Sequence, residues 1–230
     1  MLYRRGFVHQ EAKSGRKHMK YLKVAHIRPE LLLSDKVAIV GASGNLTDSQ
    51  YGEIIDSHSD VVRFNRSPTL GFENDVGSKT TLRVVNNHVF NNVDISKKGF
   101  TNSPKNFVKE LKDARILYIG PDLSPWHNRS RNTDPSSDLY LFNYASTPKI
   151  KNSFKYSGKG NLIIGTLFTC LCVDAGLKPT LFGFDLEPLP RTHYYENRPK
   201  ETGAFHNLSQ DQKILIDLNN KHLIDVKLKK

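Results

Sequence analysis

A short apolar run, VAIVG at residues 37–41, leads into a turn of small residues and then into a helical pattern at 48–55. In such a strand–turn–helix order, free backbone N–H groups and the helix dipole converge on a phosphate or a carboxylate. The three-glycine fingerprint of nucleotide dehydrogenases is incomplete, because this turn supplies only Gly41 and Gly44. The stretch therefore predicts an anion-binding turn and leaves its ligand open.

Similar strand and helix patterns alternate along the rest of the chain. Runs rich in β-branched and aromatic residues predict strands, and the stretches between them include helical patterns. The predicted strands are 37–41, 61–65, 81–86, 115–120, 139–144 and 180–185, and the predicted helices are 48–55, 104–112 and 161–175. This alternation indicates an α/β fold: a single Rossmann-like domain whose mostly parallel central sheet has helices on both faces.

Polar and small residues follow several of these predicted strands. In a parallel sheet, ligands bind beyond the carboxyl ends of the strands. We therefore expect the residues at those ends to face one crevice together with the first turn; they are Gly44, Asn65, Asn86, Gly120 and Asp185.

The positive charge of the chain is concentrated near its start. Lys and Arg number 34 against 23 Asp and Glu, a formal net charge of +11, and much of the excess lies in residues 1–34. We interpret 1–34 as a basic leader, mainly a solvated segment, and 35–230 as one catalytic domain. Such a leader can contact nucleic acid, an acidic substrate or, weakly, an anionic membrane surface. Positive charge explains none of the patterns in residues 40–81 or 193–206, so a nucleic-acid partner is not expected.

The cysteines and the hydropathy pattern bear on the compartment. Cys170 and Cys172 are separated by one residue, so a disulfide between them would be strained, and two free thiols suit a reducing environment. The pair also does not fit a structural zinc site, which takes four ligands. With no membrane-spanning run or secretory signal in this chain, the sequence predicts a cytoplasmic location, or the Golgi lumen if the chain is a truncated form.

Four stretches in the same order resemble the sialyl motifs of eukaryotic-type sialyltransferases, glycosyltransferase family 29. VGASGNL, YGEIIDSH and RFNRSPTLGFENDVGSKTT, within residues 40–81, resemble the large motif. Residues 157–185 are similar to the small motif, HYYE at 193–196 to the third motif, and His206 with Asp211 to the very small motif.

This resemblance implies a variant GT-A fold and transfer of sialic acid from CMP-sialic acid to a hydroxyl of an oligosaccharide or glycoconjugate acceptor, with inversion. It implies no metal and no other cofactor. His206 matches the catalytic base, and His193 matches the histidine that assists the departing CMP. The positions matched to donor binding are Gly41, Ser43, Gly44, Asn45, Asn65, Ser157, Lys159, Gly160 and Tyr194.

Several residues depart from the family pattern. Ala42 stands where many relatives have Asn, and Asp211 replaces the usual Glu. Val37 stands near the position at which secreted relatives have a cysteine that forms a disulfide with a cysteine of the small motif. Three alternatives therefore stay open. The donor could be CMP-Kdo on the same fold, the chain could be a non-catalytic relative that binds CMP or another anion, and the basic leader alone would suit an RNA- or membrane-associating module.

Overall fold

The computed structural model contains one sheet of eight parallel strands within the residues it describes, which are 21–23, 29–86, 114–120, 139–143, 147–157, 160–187, 193–196 and 207–229. The strands are β1 (Tyr21–Lys23), β2 (Val37–Val40), β3 (Asp60–Phe64), β4 (Leu82–Asn86), β5 (Arg115–Gly120), β6 (Leu139–Asn143), β7 (Thr180–Phe182) and β8 (Asp225–Lys227). The predicted parallel sheet is thus confirmed.

The order of the strands defines where the chain reverses direction across the sheet. The spatial order is β1-β6-β5-β4-β3-β2-β7-β8, so the chain proceeds outward from β2 to β6 and then returns to the other side of β2. In the register, Ile39 of β2 lies beside Val62 of β3 and Leu181 of β7. The carboxyl ends of these three strands therefore meet at a topological switch point, where sheets of this class bind ligands.

Helices cover both faces of the sheet. They are α1 (Gly52–Asp56), α2 (Glu73–Val76), α3 (Thr147–Ser153), α4 (Ile164–Asp174) and α5 (Leu208–Asn220), with 3₁₀ turns at Pro29–Leu31 and Gly44–Leu46. Alternate strand residues point to opposite faces: Val62 packs in the cluster that contains residues of α4 and α5, and Val61 packs in the cluster that contains Ile55 of α1.

Two segments lie differently from the sequence pattern. The helix predicted over 48–55 begins only at Gly52, because Asp48 and Gln50 have φ angles of 57° and 55°. The Asp75 carboxylate accepts both of their backbone N–H groups, at 2.9 and 3.0 Å, and so holds this left-handed loop. The strand predicted over 180–185 ends at Phe182, since Gly183 turns the chain with a φ of 69°.

Three further predictions concern the helix with the two cysteines, the helix over 104–112 and the segment 1–34. The helix predicted over 161–175 is confirmed as α4, and its two cysteines are free, buried thiols. Burial raises the pKa of both thiols, so they stay protonated at neutral pH. The helix predicted over 104–112 lies outside the described residues. Strand β1 lies within 1–34, the segment interpreted as a leader, and pairs in parallel with β6 at one edge of the sheet.

Two arginines are buried side by side inside the sheet. Arg63 and Arg83 are register partners on β3 and β4, and both are almost completely inaccessible to solvent. Arg63 donates to the carbonyl oxygens of Val76 and Lys79, at 2.6 and 3.1 Å, and Arg83 donates to that of Ser67 at 2.8 Å. These hydrogen bonds tie the segment after β3 to the sheet, because a buried charge is tolerated only where it has hydrogen-bond partners.

Candidate functional site

A cavity of about 420 Å³ opens at the carboxyl ends of β2, β3 and β7, at the switch point. Its lining combines all the elements that meet there: Gly41, Ala42, Ser43, Phe64, Asn65, Ser67, Asn86, Leu162, Ile163, Ile164, Gly165, Thr166, Gly183, Phe184, Asp185, His193, Tyr195, Leu208, Asp211, Gln212 and Leu215. Asn65, Asn86 and Asp185 therefore share one crevice, as predicted from their positions at strand ends. Gly44 and Gly120, predicted to join them, are not among these lining residues.

The small-residue turn after β2 is locked to the turn after β7. A Cβ on Gly41 would lie 2.3 Å from the carbonyl oxygen of Gly183, so no larger residue fits there. Ser43 donates its hydroxyl to the Asp185 carboxylate and accepts the Asn45 N–H at 3.1 Å. The side-chain amide of Asn45 donates to Phe184 O and Asp185 Oδ1, at 3.1 and 3.2 Å.

The predicted donor-binding residues of the turn have different roles in the structure. Gly41 and Ser43 line the cavity, whereas Asn45 uses its amide to join the two turns and is absent from the described lining. Asp185 lines the cavity and accepts hydrogen bonds from both Ser43 and Asn45. Its negative charge is therefore partly compensated before any ligand binds.

Asn65 lies at the end of β3 with a φ of 48°, a left-handed conformation that asparagine tolerates. Its side-chain Oδ1 accepts the backbone N–H of Asn86 at 3.0 Å, which fixes the side chain across β3 and β4. The remaining Nδ2 group is the one that can donate to a ligand in the cavity.

Asp211 joins α5 to the beginning of α4. It is 2% exposed, and its Oδ1 accepts the backbone N–H of Ile163, the N-cap residue of α4, at 2.9 Å. A carboxylate at a helix N-terminus satisfies an N–H that the helix cannot, and it interacts favourably with the helix dipole. Asp211, matched in the sequence to the very small motif, thus shapes the wall of the cavity.

The segment 193–196 forms the opposite wall. His193 Nδ1 lies 2.9 Å from Glu196 Oε2, and the His193 ring stacks on Tyr195 with the centroids 5.1 Å apart. The backbone N–H of Tyr194 donates to Ala42 O at 3.0 Å, which attaches the segment to the first turn. His193 and Tyr195 line the cavity. Tyr194 does not line it, because this residue is buried against Phe72 and donates its hydroxyl to Pro68 O.

The remaining predicted site residues fall outside this constellation or outside the described chain. Ser157 and Gly160 are exposed and absent from the described lining; Gly160 has a φ of 98°, and its carbonyl oxygen accepts from Lys151 Nζ at 2.6 Å. Lys159 and His206 lie outside the described residues.

One helix that lines the cavity was not predicted from the sequence. Leu208, Asp211, Gln212 and Leu215 lie on α5, for which no helix was predicted. Their spacing of three, four and seven residues from Leu208 is the period of one helix face, and that signal could have identified them.

No group of three or more His, Cys, Asp or Glu side chains in the described ranges could hold a metal ion. None of the helices in the part of the chain covered by the structure is both long and apolar enough to cross a membrane.

The parallel sheet, its switch point and the cavity at its carboxyl edge define a Rossmann-like α/β protein. Comparison with known proteins identifies its family. The sequence model of glycosyltransferase family 29 (sialyltransferase) matches residues 13–118. The pig CMP-N-acetylneuraminate-beta-galactosamide-alpha-2,3-sialyltransferase 1 is 48% identical over 201 residues, which cover 78% of this chain and 52% of that protein. The mouse protein of the same name is 32% identical over 181 residues, which cover 74% and 50%.

A solved structure agrees in fold. The crystal structure of a mammalian sialyltransferase in complex with Gal-beta-1-3GalNAc-ortho-nitrophenol has a TM-score of 0.60 and 21% identity, and the match covers 84% of this chain and 69% of that one. The chain belongs to the sialyltransferase family, and the predicted Rossmann-like fold of variant GT-A type is confirmed. It spans about half the length of the pig and mouse relatives.

Proposed function

We propose that this chain transfers sialic acid from CMP-sialic acid to a hydroxyl group of a glycan acceptor, by an inverting mechanism that needs no metal ion. The supporting observation is the cavity at the switch point, where the turn of the large motif, Asn65 and His193 come together. The pig and mouse relatives are named for the same donor and for a β-galactosamide acceptor.

The donor is an anion, so the charges around the cavity matter. Asp185 and Asp211 line it, and each accepts hydrogen bonds from the protein: Asp185 from two side chains, and Asp211 from the backbone N–H of Ile163, the N-cap residue of α4. The donated hydrogens offset part of the negative charge that an anionic ligand would meet. In this proposal the amide of Asn65 donates to the nucleotide, which also packs against Gly41 and Ser43. The backbone N–H groups of these two residues already donate to Phe182 O and Gly183 O, so they are not counted as donors to the ligand.

In the reaction, a general base removes the proton of the acceptor hydroxyl as its oxygen attacks the anomeric carbon. The bond from that carbon to the phosphate oxygen breaks, and CMP leaves from the opposite side. We assign the base to His206, which directly precedes Asn207, the N-cap residue of α5, and His193 donates a hydrogen bond or a proton to the leaving phosphate. A leaving group with one phosphate can be stabilised by such donors and backbone dipoles, which suits a metal-free reaction.

The test measures CMP release from two donors, CMP-sialic acid and CMP-Kdo, with a panel of β-galactosides and in the presence of EDTA. We expect release with CMP-sialic acid, and linkage-specific sialidases then identify the bond formed. Release only from CMP-Kdo would change the donor. CMP binding without release from either donor would identify a non-catalytic relative, and strict dependence on added Mn²⁺ would contradict the metal-free mechanism.

Two variants separate the roles of the histidines. His206→Ala should abolish transfer and leave the affinity for CMP nearly unchanged, because the base acts on the acceptor and not on the nucleotide. His193→Ala should lower kcat by roughly a hundredfold, the usual loss for a missing general acid. Full activity of the His206 variant would refute the assignment of the base. His222, an exposed histidine after α5, provides the matched control as His222→Ala.

A further inference from the structure

We propose that Glu196 and Tyr195 are positioning residues for His193, and that together they hold its imidazole in one tautomer and one plane at the wall of the cavity. The inference rests on the role proposed above for His193. The contacts that support it are independent of that role and can be tested separately.

Glu196 determines which ring nitrogen carries the proton. Its Oε2 lies 2.9 Å from His193 Nδ1, and an ionised carboxylate can only accept a hydrogen bond, so Nδ1 is the protonated nitrogen. Nε2 is then the nitrogen left to serve the cavity: it accepts a hydrogen bond when the ring is neutral, and it donates to the leaving phosphate when the ring carries a second proton, as imidazolium. The Glu196 side chain is 12% exposed and that of His193 is 33% exposed, so the carboxylate is held on the protein side of the ring. Such a bond to one nitrogen is the usual way in which proteins select a histidine tautomer.

Tyr195 determines the plane of the ring. The His193 and Tyr195 rings are nearly parallel, with an interplanar angle of 3° and centroids 5.1 Å apart. Tyr194 meets Tyr195 edge-on, at 5.0 Å and 85°, and Phe72 meets Tyr194 at 5.2 Å and 72°. A ladder of four rings thus runs from the segment after β3 to His193. Edge-to-face and stacked contacts of this kind favour defined ring orientations.

The hydroxyl end of Tyr195 is also anchored. Burial, and then the negative charge of Glu196, raises the pKa of Tyr195, while a hydrogen bond with the Ser67 side chain and the positive charge of Arg83 act in the opposite direction. Arg83 in turn donates to the Ser67 carbonyl oxygen at 2.8 Å from inside the sheet. The neutral phenol is therefore tied at one end to the sheet and presents its face to the imidazole.

The tautomer can be observed directly by long-range ¹H–¹⁵N correlation of the histidine rings in the ¹⁵N-labelled full chain, at a pH at which imidazoles are neutral. His193→Asn assigns the signal. In the wild type we expect Nδ1 to carry the proton. Glu196→Leu should move the proton toward Nε2, whereas Glu196→Gln keeps an acceptor and should retain the Nδ1–H form. Glu53→Leu, which removes an exposed carboxylate of α1, is the matched control.

The same spectra test the stack. Tyr195→Phe keeps the ring and should leave the upfield ring-current shift of the His193 carbon-bound protons in place, and Tyr195→Leu should remove it. A wild-type Nε2–H tautomer, a tautomer insensitive to Glu196→Leu, or a ring-current shift that survives Tyr195→Leu would overturn the proposal. Because Glu196→Gln and Tyr195→Phe preserve the shape of the segment, misfolding of the harsher variants does not decide the result.

Kinetics connect the geometry to catalysis. If CMP release is observed, Glu196→Leu should lower kcat by roughly tenfold to a hundredfold with the KM for the donor nearly unchanged, and Glu196→Gln should recover most of the loss. An unchanged kcat together with a shifted tautomer would overturn the positioning role in catalysis. If the wild type releases no CMP, the proposed function fails, while the NMR result still decides whether these residues set the tautomer and the plane.

Discussion

Replacing Gly41 with alanine tests whether the turn after β2 needs glycine for packing. The added Cβ would lie 2.3 Å from Gly183 O, 3.0 Å from Gly183 C and 3.2 Å from a ring carbon of Phe184. Carbon and oxygen atoms normally approach no closer than about 3.3 Å, so the two turns must separate by roughly 1 Å. The obstacle is backbone, which cannot rotate away as a flexible side chain can.

The expected loss of unfolding free energy follows from the contacts between the two turns. Separation weakens two hydrogen bonds between the turns, from Gly41 N to Phe182 O at 2.7 Å and from Ser43 N to Gly183 O at 3.2 Å. At about 1 kcal/mol for each bond, and about 1–3 kcal/mol for overpacking, the variant should lose roughly 3–5 kcal/mol of unfolding free energy. Urea unfolding followed by circular dichroism measures this loss.

Gly71→Ala is the matched control. Gly71 has a φ of 85°, but a Cβ there would meet nothing within 4 Å, so only the backbone conformation is penalised. That penalty is about 1–2 kcal/mol. If Gly41→Ala loses no more stability than Gly71→Ala, the packing argument is refuted. A stable Gly41→Ala variant with weakened CMP binding would show instead that the glycine is needed for the approach of the ligand.

Two further substitutions test carboxylates in different places: Asp60 at the amino end of β3, and Asp211 in the wall of the cavity. Asp60 accepts hydrogen bonds from Ser34 and Thr81 and pairs with Arg115 at 2.8 Å, and although burial raises its pKa, these partners lower the pKa below its usual value. Asp60→Asn should therefore cost about 2 kcal/mol of unfolding free energy at pH 7. The difference in stability between wild type and variant should hold down to about pH 5 and shrink as the pH falls below about 4. A difference in urea unfolding that does not depend on pH would contradict the assignment. Asp211→Ala should cost about 2–3 kcal/mol, because it leaves the buried Ile163 N–H without its acceptor, and Asp211→Asn should cost less, so equal losses in the same assay would contradict a hydrogen-bonding role.

The sequence predicted the strands better than the helices. β2 is a continuous apolar run, and so is β5 after its first residue. Such runs are typical of strands in a sheet that is covered on both faces, so they can be recognised without knowing the rest of the structure. The helix predicted over 48–55 was wrong in its first turn, because Asp75 accepts the N–H groups of Asp48 and Gln50 from more than 20 residues away. Periodicity contains no information about such a distant acceptor.

The candidate site also contains some features that the sequence predicted and others that it did not. Asn65 and Asp185 were predicted to share a crevice, since parallel strands bring their carboxyl ends to one edge. Gly41 was predicted as part of an anion-binding turn, and its contact with Gly183 adds a packing reason for glycine at this position. The sequence matched Tyr194 to donor binding, yet its neighbour Tyr195 lines the cavity while Tyr194 is buried beside Phe72.

The order of amino acids by itself determined the class of fold and the family, because strand patterns depend on local composition and the sialyl motifs are long enough to be specific. The tertiary structure decided what the individual polar groups do. Ser43 meets Asp185 across 142 residues of sequence, and Asp211 meets Ile163 across 48. Hydrogen bonds of this kind depend on distances of about 3 Å between atoms that only the folded sheet brings together.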